Sequence, residues 1–300
     1  MAPLKILITG QHGQVSQELQ ARLQSLGELI VLGRDQLDLA DADLIRQQVR
    51  AHRPGLIINA AAHTAVDLAE SEPDAAFAIN AIAPGILAEE AKALGIPLIH
   101  YSTDYVFDGT KPAPYTESDT PNPLGVYGQS KLAGEQAIAA VGGQYLILRT
   151  SWVVSSYGSN FIKTMLRLAK ERDALNVVAD QYGAPTSAEL IADVTSFAIL
   201  GHRDGKLASG IYHLTASGST TWHGLASHVI ARAASNGIAL RVVASAISAI
   251  PSSAYPLPAK RPANSRMDNR KLQQALGLQF PDWTVHVNRI VDQLSEKEHA

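Results

Sequence analysis

Short apolar runs alternate, through the first half of the chain, with segments whose apolar residues recur at helical spacing. That is the pattern of parallel strands joined by crossover helices. Leu4 to Thr9 is the first strand, followed by a helix from about Gln14 to Leu26 that Gly27 closes from the position after the cap. Glu28 to Leu32, Gly55 to Asn59 and Ile96 to Ser102 are the next strands, with a long helix across Asp74 to Leu94. Each run is rich in Ile, Leu and Val without polar alternation, as strands covered on both faces are. Tyr127 to Val141 predicts a helix and Tyr145 to Arg149 a further strand. The stretch from Thr103 to Val126 lacks periodicity and is rich in Pro, Gly and Asp, so it is expected to be a surface excursion near the strand ends.

After Ser151 the texture loosens. Helices are predicted around Asn160 to Lys170 and Thr186 to Leu200, and strands at Leu175 to Ala179, Ile211 to Thr215 and Leu240 to Ala244. Thr186 to Glu189 has the form of a capping box with Thr186 as N-cap. The proline-dense run from Ile250 to Ser265 is either an ordered loop or a linker. The division expected is a nucleotide-binding half, residues 1–151, and a smaller, mainly substrate-binding α/β half, residues 152–300, with an approximate boundary that the chain is free to cross back over.

Composition narrows the function classes. With 25 Lys+Arg against 28 Asp+Glu the net charge is −3, so the chain lacks the basic surface of a nucleic-acid binder. At 46% hydrophobic and 18% charged residues it reads as folded throughout. Cys is absent, which removes disulfides, thiolate nucleophiles and Cys-ligated zinc. The opening MAPLKILITG is too short in its apolar run for a signal peptide, and no run approaches a membrane span. A cytoplasmic protein with no membrane partner is expected.

The chemistry begins where the first strand turns into a helix, at Gly10-Gln11-His12-Gly13-Gln14-Val15-Ser16. Backbone N–H groups and the helix dipole can receive a pyrophosphate there, with Gly10 allowing the tight turn, Gly13 the close approach, and Ser16 in place of a third Gly. The second strand ends in Leu32-Gly33-Arg34, with no carboxylate to meet an NAD ribose. Arg34 favours the 2′-phosphate of NADPH, with NADH left open. Asp38 and Leu39 are placed to flank the adenine. Tyr127 and Lys131 stand four apart, one turn along one helix face, where an ammonium would lower the phenol's pKa. Thr103, at the carboxyl end of the fourth strand, is placed to donate to a reacting oxygen. Together these make the fold class α/β, a Rossmann-type doubly wound parallel sheet.

The Gly-rich turn, the Thr and the Tyr-x-x-x-Lys pair resemble the extended short-chain dehydrogenase/reductases that act on nucleotide sugars. Asn59 to Asp67, His100 to Phe107, Leu148 to Trp152, Asp180 to Thr186 and Arg261 to Arg266 narrow the resemblance to the dTDP-4-dehydrorhamnose reductase family, over about residues 4 to 290. The resemblance implies Thr103, Tyr127 and Lys131 as catalytic residues. It implies cofactor contacts at Gly13, Gln14, Val15, Asp38, Leu39, Ala62, His63, Thr64 and Tyr101, and Ala60 and Ala61 extend that set. Substrate contacts fall on Thr103, Asp104 and Trp152, with Trp152 stacking on a sugar face and Arg261 and Asn264 closing over the diphosphate and nucleotide. The substrate implied is dTDP-4-dehydro-6-deoxy-L-mannose, reduced to dTDP-L-rhamnose for a cell-surface polysaccharide such as O-antigen, by a homodimer in some arrangements. Members of the family also bind Mg²⁺ near a dimer interface through carboxylates matching Glu18 and Glu189, but Gln293 stands where a third would be. His202, His213, His223, His228 and His286 show no ligand spacing and are read as structural. Two other readings stay open: an epimerase or related nucleotide-sugar enzyme that retains its cofactor, and a non-catalytic NADP-binding regulatory subunit.

Overall fold

The computed structural model describes residues 3–299. β1 (Leu4–Thr9) turns into α1 (Gln14–Arg22), and β2 (Gly27–Leu32) returns beside it. The α-helix ends earlier than its periodicity predicts, because a 3₁₀ turn at Leu23–Ser25 carries the chain into β2. Gly27 is not the helix cap; it opens the strand without a positive φ. A Cβ there would lie 2.0 Å from the Leu4 carbonyl oxygen, so close backbone approach is what requires glycine. α2 (Ala42–His52), which the sequence reading passed over, is capped by Asp41 and buries Ile45 and Val49. β3 (Leu56–Asn59) precedes α3 (Val66–Ser71). The long helix expected across 74–94 is α4 (Pro73–Phe77), a π turn at Ala78–Ile82 and α5 (Ala83–Leu94). The π turn's extra residue brings Asn80 inside, fully buried. β4 (Leu98–Thr103), α6 (Val126–Val141) and β5 (Tyr145–Thr150) follow.

In the second half come β6 (Val153–Val154), α7 (Phe161–Glu171), β7 (Leu175–Val178), β8 (Tyr182–Gly183), β9 (Thr186–Ser187), α8 (Ala188–Arg203) and β10 (Gly210–His213). β11 (Thr220–Thr221), α9 (Trp222–Ser235), β12 (Ile247–Ile250), α10 (Arg270–Leu276) and α11 (Trp283–His299) complete the chain. Two expectations are corrected here. Leu240 to Ala244 is not a strand; the parallel partner of β7 is β12, three residues on. The cap of α8 is Ser187, whose hydroxyl accepts from Leu190 N–H, while Thr186 donates to the Ala184 carbonyl. The proline-dense run is an ordered loop, clamped where Tyr182 N–H donates to Ala263 and Ser265 N–H donates to Tyr182.

The main sheet is parallel, in the order β10-β5-β4-β3-β1-β2. Alternate residues of each strand feed opposite layers. Ile6, Ile8, Leu56, Ile58, Leu146 and Leu148 join the core under α1 and α8, while Leu7, Ile57 and Ile147 join the one under α2, α5 and α6. Because the chain leaves β1 in one direction to β2 and in the other to β3, a crevice opens at the carboxyl ends of these strands.

Candidate active site

That crevice is a cleft of about 570 Å³. Gly10, Gln11, His12, Gly13, Gln14 and Val15 line it from the first turn, and Arg34, Asp38 and Leu39 from the end of β2. Ala60, Ala61, Ala62 and Thr64 line it after β3, and Tyr101, Tyr127 and Lys131 from β4 and α6. His63 stands outside the lining; its N–H donates to Asn80 Oδ1 at 2.9 Å, and its buried Nδ1 has no partner. The lining also takes in Gly33, Leu37, Ile79, Ser102, Thr150, Val153, Gly158 and Ser159, none of them among the contact residues expected from the sequence.

The cleft fits a dinucleotide. Gly10 turns at φ +80, with the Ala61 Cβ 3.0 Å from where its own Cβ would be. A Cβ on Gly13 would lie 3.2 Å from the Gly10 carbonyl, to which the Gly13 N–H donates, and no side chain caps the start of α1 behind it. Ser102 Oγ and Thr150 Oγ1, on two adjacent strands at the cleft wall, are buried without partners. Arg34 is largely exposed on the rim, 3.7 Å from Asp38, so its guanidinium is available to an anion.

At the inner end Thr103 Oγ1 donates to Asp104 at 3.0 Å, accepts from Tyr105 N–H, and hydrogen-bonds Tyr127. Burial pushes the Asp104 carboxyl up to about 6 despite bonds from Ser265 and Thr103. The expected lowering of the Tyr127 phenol is not found: burial pushes it up to about 12, against the Thr103 bond. Lys131 does not offset this, because its Nζ is turned to the Tyr101 carbonyl at 2.6 Å and to His100. Burial also brings the Lys131 ammonium down to about 8. α6 is held to the sheet by a fully buried ion pair, Glu135 with Arg149 of β5, at 2.8 and 2.6 Å.

The residues expected at the substrate end are distributed differently. Arg261 donates to Asp67 at 2.8 Å, and Ala259 N–H donates to the same carboxylate, so the loop is fastened to α3. Asn264 has all its side-chain valence taken, donating to the Lys111 and Ala113 carbonyls and accepting from Arg266, so it ties loops together. Trp152 does not present that ring face to a sugar: it is stacked on Trp222 with centroids 3.6 Å apart, and Phe161 packs on the pair. Gly183 lies against it so closely that a Cβ would come within 2.4 Å of the ring. Trp152 sits at φ +46, a strained conformation for a non-glycine residue that this packing holds in place.

Glu18 and Glu189 do not fit a divalent cation. The Arg22 guanidinium lies among them, 2.5 Å from Glu18, 3.0 Å from Glu189 and 2.5 Å from Asp193. Glu189 also binds His286 and Arg289, and those contacts, the His286 hydrogen bond first, hold its carboxyl down to about 2. Among the described residues no cluster of His, Asp and Glu forms a metal site. The centre the metal would take is already cationic.

Comparison with known proteins decides the family. A model described as the RmlD substrate binding domain matches residues 4–296. The chain belongs to this family. Curated RmlD-type relatives named dTDP-4-dehydrorhamnose reductase include one from Escherichia coli K12, 48% identical over 97% of this chain and 98% of that one. Another, from Burkholderia thailandensis, is 46% identical over 97% and 99%. A solved dTDP-4-dehydrorhamnose reductase from Bacillus anthracis in complex with NADP has a TM-score of 0.87 at 33% identity, covering 97% of this chain and 99% of that one. A Thermus thermophilus UDP-glucose 4-epimerase, at 20% identity and TM-score 0.79, shares the fold. Among the described residues no helix is long and apolar enough to cross a membrane.

Proposed function

We propose that this chain is an NADPH-dependent reductase that converts the 4-keto group of dTDP-4-dehydro-6-deoxy-L-mannose to the alcohol of dTDP-L-rhamnose, in the cytoplasm. The observation that carries the reading is that Tyr127 and Lys131 line a dinucleotide-sized cleft, with Thr103, outside the lining, beside the Tyr127 phenol. In this reading residues 1–151 supply most of the cofactor contacts, and 152–300 mainly enclose the sugar nucleotide. The first turn and the start of α1 would hold the pyrophosphate, Arg34 the 2′-phosphate, and Lys131 the nicotinamide ribose.

A nicotinamide held in the cleft would supply the hydride. Tyr127 gives its phenolic proton to the oxygen that becomes an alkoxide. A pKa near 12 suits a donor that must stay protonated until a much stronger base develops beside it. Thr103 would donate to the same oxygen once its hydroxyl turns from Asp104, which accepts that proton until then. Lys131, one turn along α6, would favour the phenolate left behind once its ammonium turns towards it from the Tyr101 carbonyl. Holding the keto carbon and alkoxide in place supplies most of the acceleration, with proton transfer contributing about 10²–10⁴. Arg261 is placed to exchange Asp67 for a diphosphate, a bidentate partner of twice the charge.

The test is NADPH oxidation by the purified protein with freshly made dTDP-4-dehydro-6-deoxy-L-mannose, beside Tyr127→Phe. Turnover that falls by two orders of magnitude or more in the variant, with NADPH affinity retained, supports the reading. Wild-type turnover in the variant removes Tyr127 from the role. Tight NADPH binding with no turnover of this sugar rejects the reductase.

A further inference from the structure

Behind Tyr127 and Lys131 a row of buried polar side chains crosses three strands of the sheet. The parallel register sets Asn59 of β3 opposite His100 of β4, and Thr9 lies next along from β1. Thr9 Oγ1 donates to Asn59 Oδ1 at 2.7 Å, the Asn59 amide lies 3.0 Å from His100 Nδ1, and His100 Nε2 lies 3.2 Å from Lys131 Nζ. Thr9, Asn59 and His100 are 1% exposed and Lys131 2%. Four polar residues so far from water are held there for a reason other than solubility.

Proton counting makes the row directional. A neutral imidazole carries one N–H and one lone pair. As placed, the ring meets a donor at each nitrogen, the Asn59 amide nitrogen and the lysine ammonium. If Lys131 is cationic, Nε2 must accept from it and Nδ1 must carry the proton. Asn59 must then turn its oxygen to Nδ1, which amide oxygen and nitrogen, being alike in shape, allow. Its nitrogen would donate to Thr9 Oγ1, which already accepts from Ala61 N–H at 3.1 Å and has a further lone pair, while the Thr9 hydroxyl proton gives up Asn59 as its acceptor. If Lys131 is neutral, the row stands as drawn, with the proton on Nε2. The two polarities of the row are two charge states of the lysine.

The other groups around Lys131 leave this job to His100. Glu135, one turn on along α6, is taken by Arg149 of β5. Tyr127, one turn back, is neutral. The π turn packed on α6 brings only Asn80, which donates to Ser130, and β4 otherwise offers the Tyr101 carbonyl. The Glu135 charge favours the ammonium from a distance, but its oxygens are held by Arg149, so no carboxylate hydrogen-bonds Lys131.

We propose that His100 is the positioning residue of the reaction: as the Nδ1–H tautomer it accepts a hydrogen bond from Lys131, keeps the lysine cationic and its ammonium fixed beside β4, and is itself held in that tautomer by Asn59. The role in turnover rests on the reductase reading above; the tautomer does not. His100 touches neither substrate nor cofactor and acts through Lys131.

Two measurements test it. In ¹⁵N-histidine-labelled protein, the imidazole signals that vanish in His100→Gln identify His100. A protonated Nδ1 and a bare Nε2 at neutral pH are expected, whether or not the chain reduces any sugar. An Nε2–H tautomer overturns the proposal. The second is the pH profile of kcat. Activity needs Lys131 charged, so it falls as pH rises through the lysine's pKa. His100→Phe, which offers no acceptor, moves that alkaline limb down by about one pH unit or more. His100→Gln, whose side-chain oxygen can accept, returns it towards wild type. A merely structural histidine would lower activity at every pH without moving the limb, and an unmoved limb in a folded His100→Phe overturns the proposal. Should that variant fail to fold, the tautomer decides alone. A wild-type protein with the expected tautomer but no turnover rejects the reductase reading and leaves the hydrogen bond standing.

Discussion

Replacing Glu135 by Leu removes one partner of an ion pair whose members are each 2% exposed. Arg149 would then keep its charge in the core with nothing to face it: its Nη1 already lacks a partner, and its remaining neighbour is the Phe107 ring, 5.1 Å away. Breaking a buried pair from one side costs about 3–5 kcal/mol, because the stranded charge stays desolvated. For a chain of this size each kcal/mol lowers Tm by about 2–4 °C, so a fall of about 6–20 °C is expected. Urea unfolding followed by circular dichroism gives the free energy, and a thermal melt the Tm. The double variant Glu135→Leu/Arg149→Met removes both charges and restores most of the loss, since an apolar pair of like volume is often no worse than a buried ion pair. Because α6 carries Tyr127 and Lys131 two turns and one turn from Glu135, turnover should fall in the single variant beyond what unfolding explains. A single variant that loses less than about 1 kcal/mol refutes the reasoning.

Three further outcomes follow from the charges described above. Excess EDTA is expected to leave Tm unchanged, while Arg22→Ala lowers it by setting Glu18, Glu189 and Asp193 against one another, and Mg²⁺ rescues only the variant; a parent whose Tm drops with chelator refutes the built-in cation. Burial, then the Arg149 charge, hold the His213 pKa down to about 3, against 6.5 for the free side chain. Its contribution is therefore complete above pH 6.5 and is lost as pH falls from 6.5 towards 3, by up to about 1.4 kcal/mol per pH unit; His213→Gln should flatten that acid slope in urea titrations, and an unchanged slope counts against it. Arg34→Ala should raise KM for NADPH about tenfold and leave KM for NADH in place, whereas equal effects on both would remove the 2′-phosphate from Arg34's role.

The inner strands of the main sheet were legible because they are buried on both faces, so that Ile6-Leu7-Ile8 or Leu56-Ile57-Ile58 reads as an unbroken apolar run whichever way a side chain points. α2 carried its own signal in Asp41 followed by Leu44, Ile45 and Val49, and was passed over between two stronger strands. The cleft residues of the first turn could be found because glycine spacing reports backbone shape locally. What stayed hidden depends on packing between distant segments. Nothing in the neighbourhood of Trp152 announces Trp222, and Arg22 lies among carboxylates only because α1 meets α8. The phenol of Tyr127 illustrates the limit of spacing arguments: four residues place Lys131 one turn away, but where its ammonium points is set by β4. Burial then outweighs a neighbour that faces elsewhere.

The sixth strand of the main sheet, β10, arrives some sixty residues after the fifth. During synthesis, therefore, the cofactor half emerges with β5 as a bare edge and with the face of β1 that α8 will cover still open to water. At about 5–20 residues per second the ribosome leaves that edge unpaired for seconds. A fragment ending near residue 151 would stay in that state permanently, an open sheet inviting another chain to pair with it. The nucleotide-binding half is thus not a cassette that recombination can lift out and graft elsewhere; it travels with the segment through His213 or aggregates on the way.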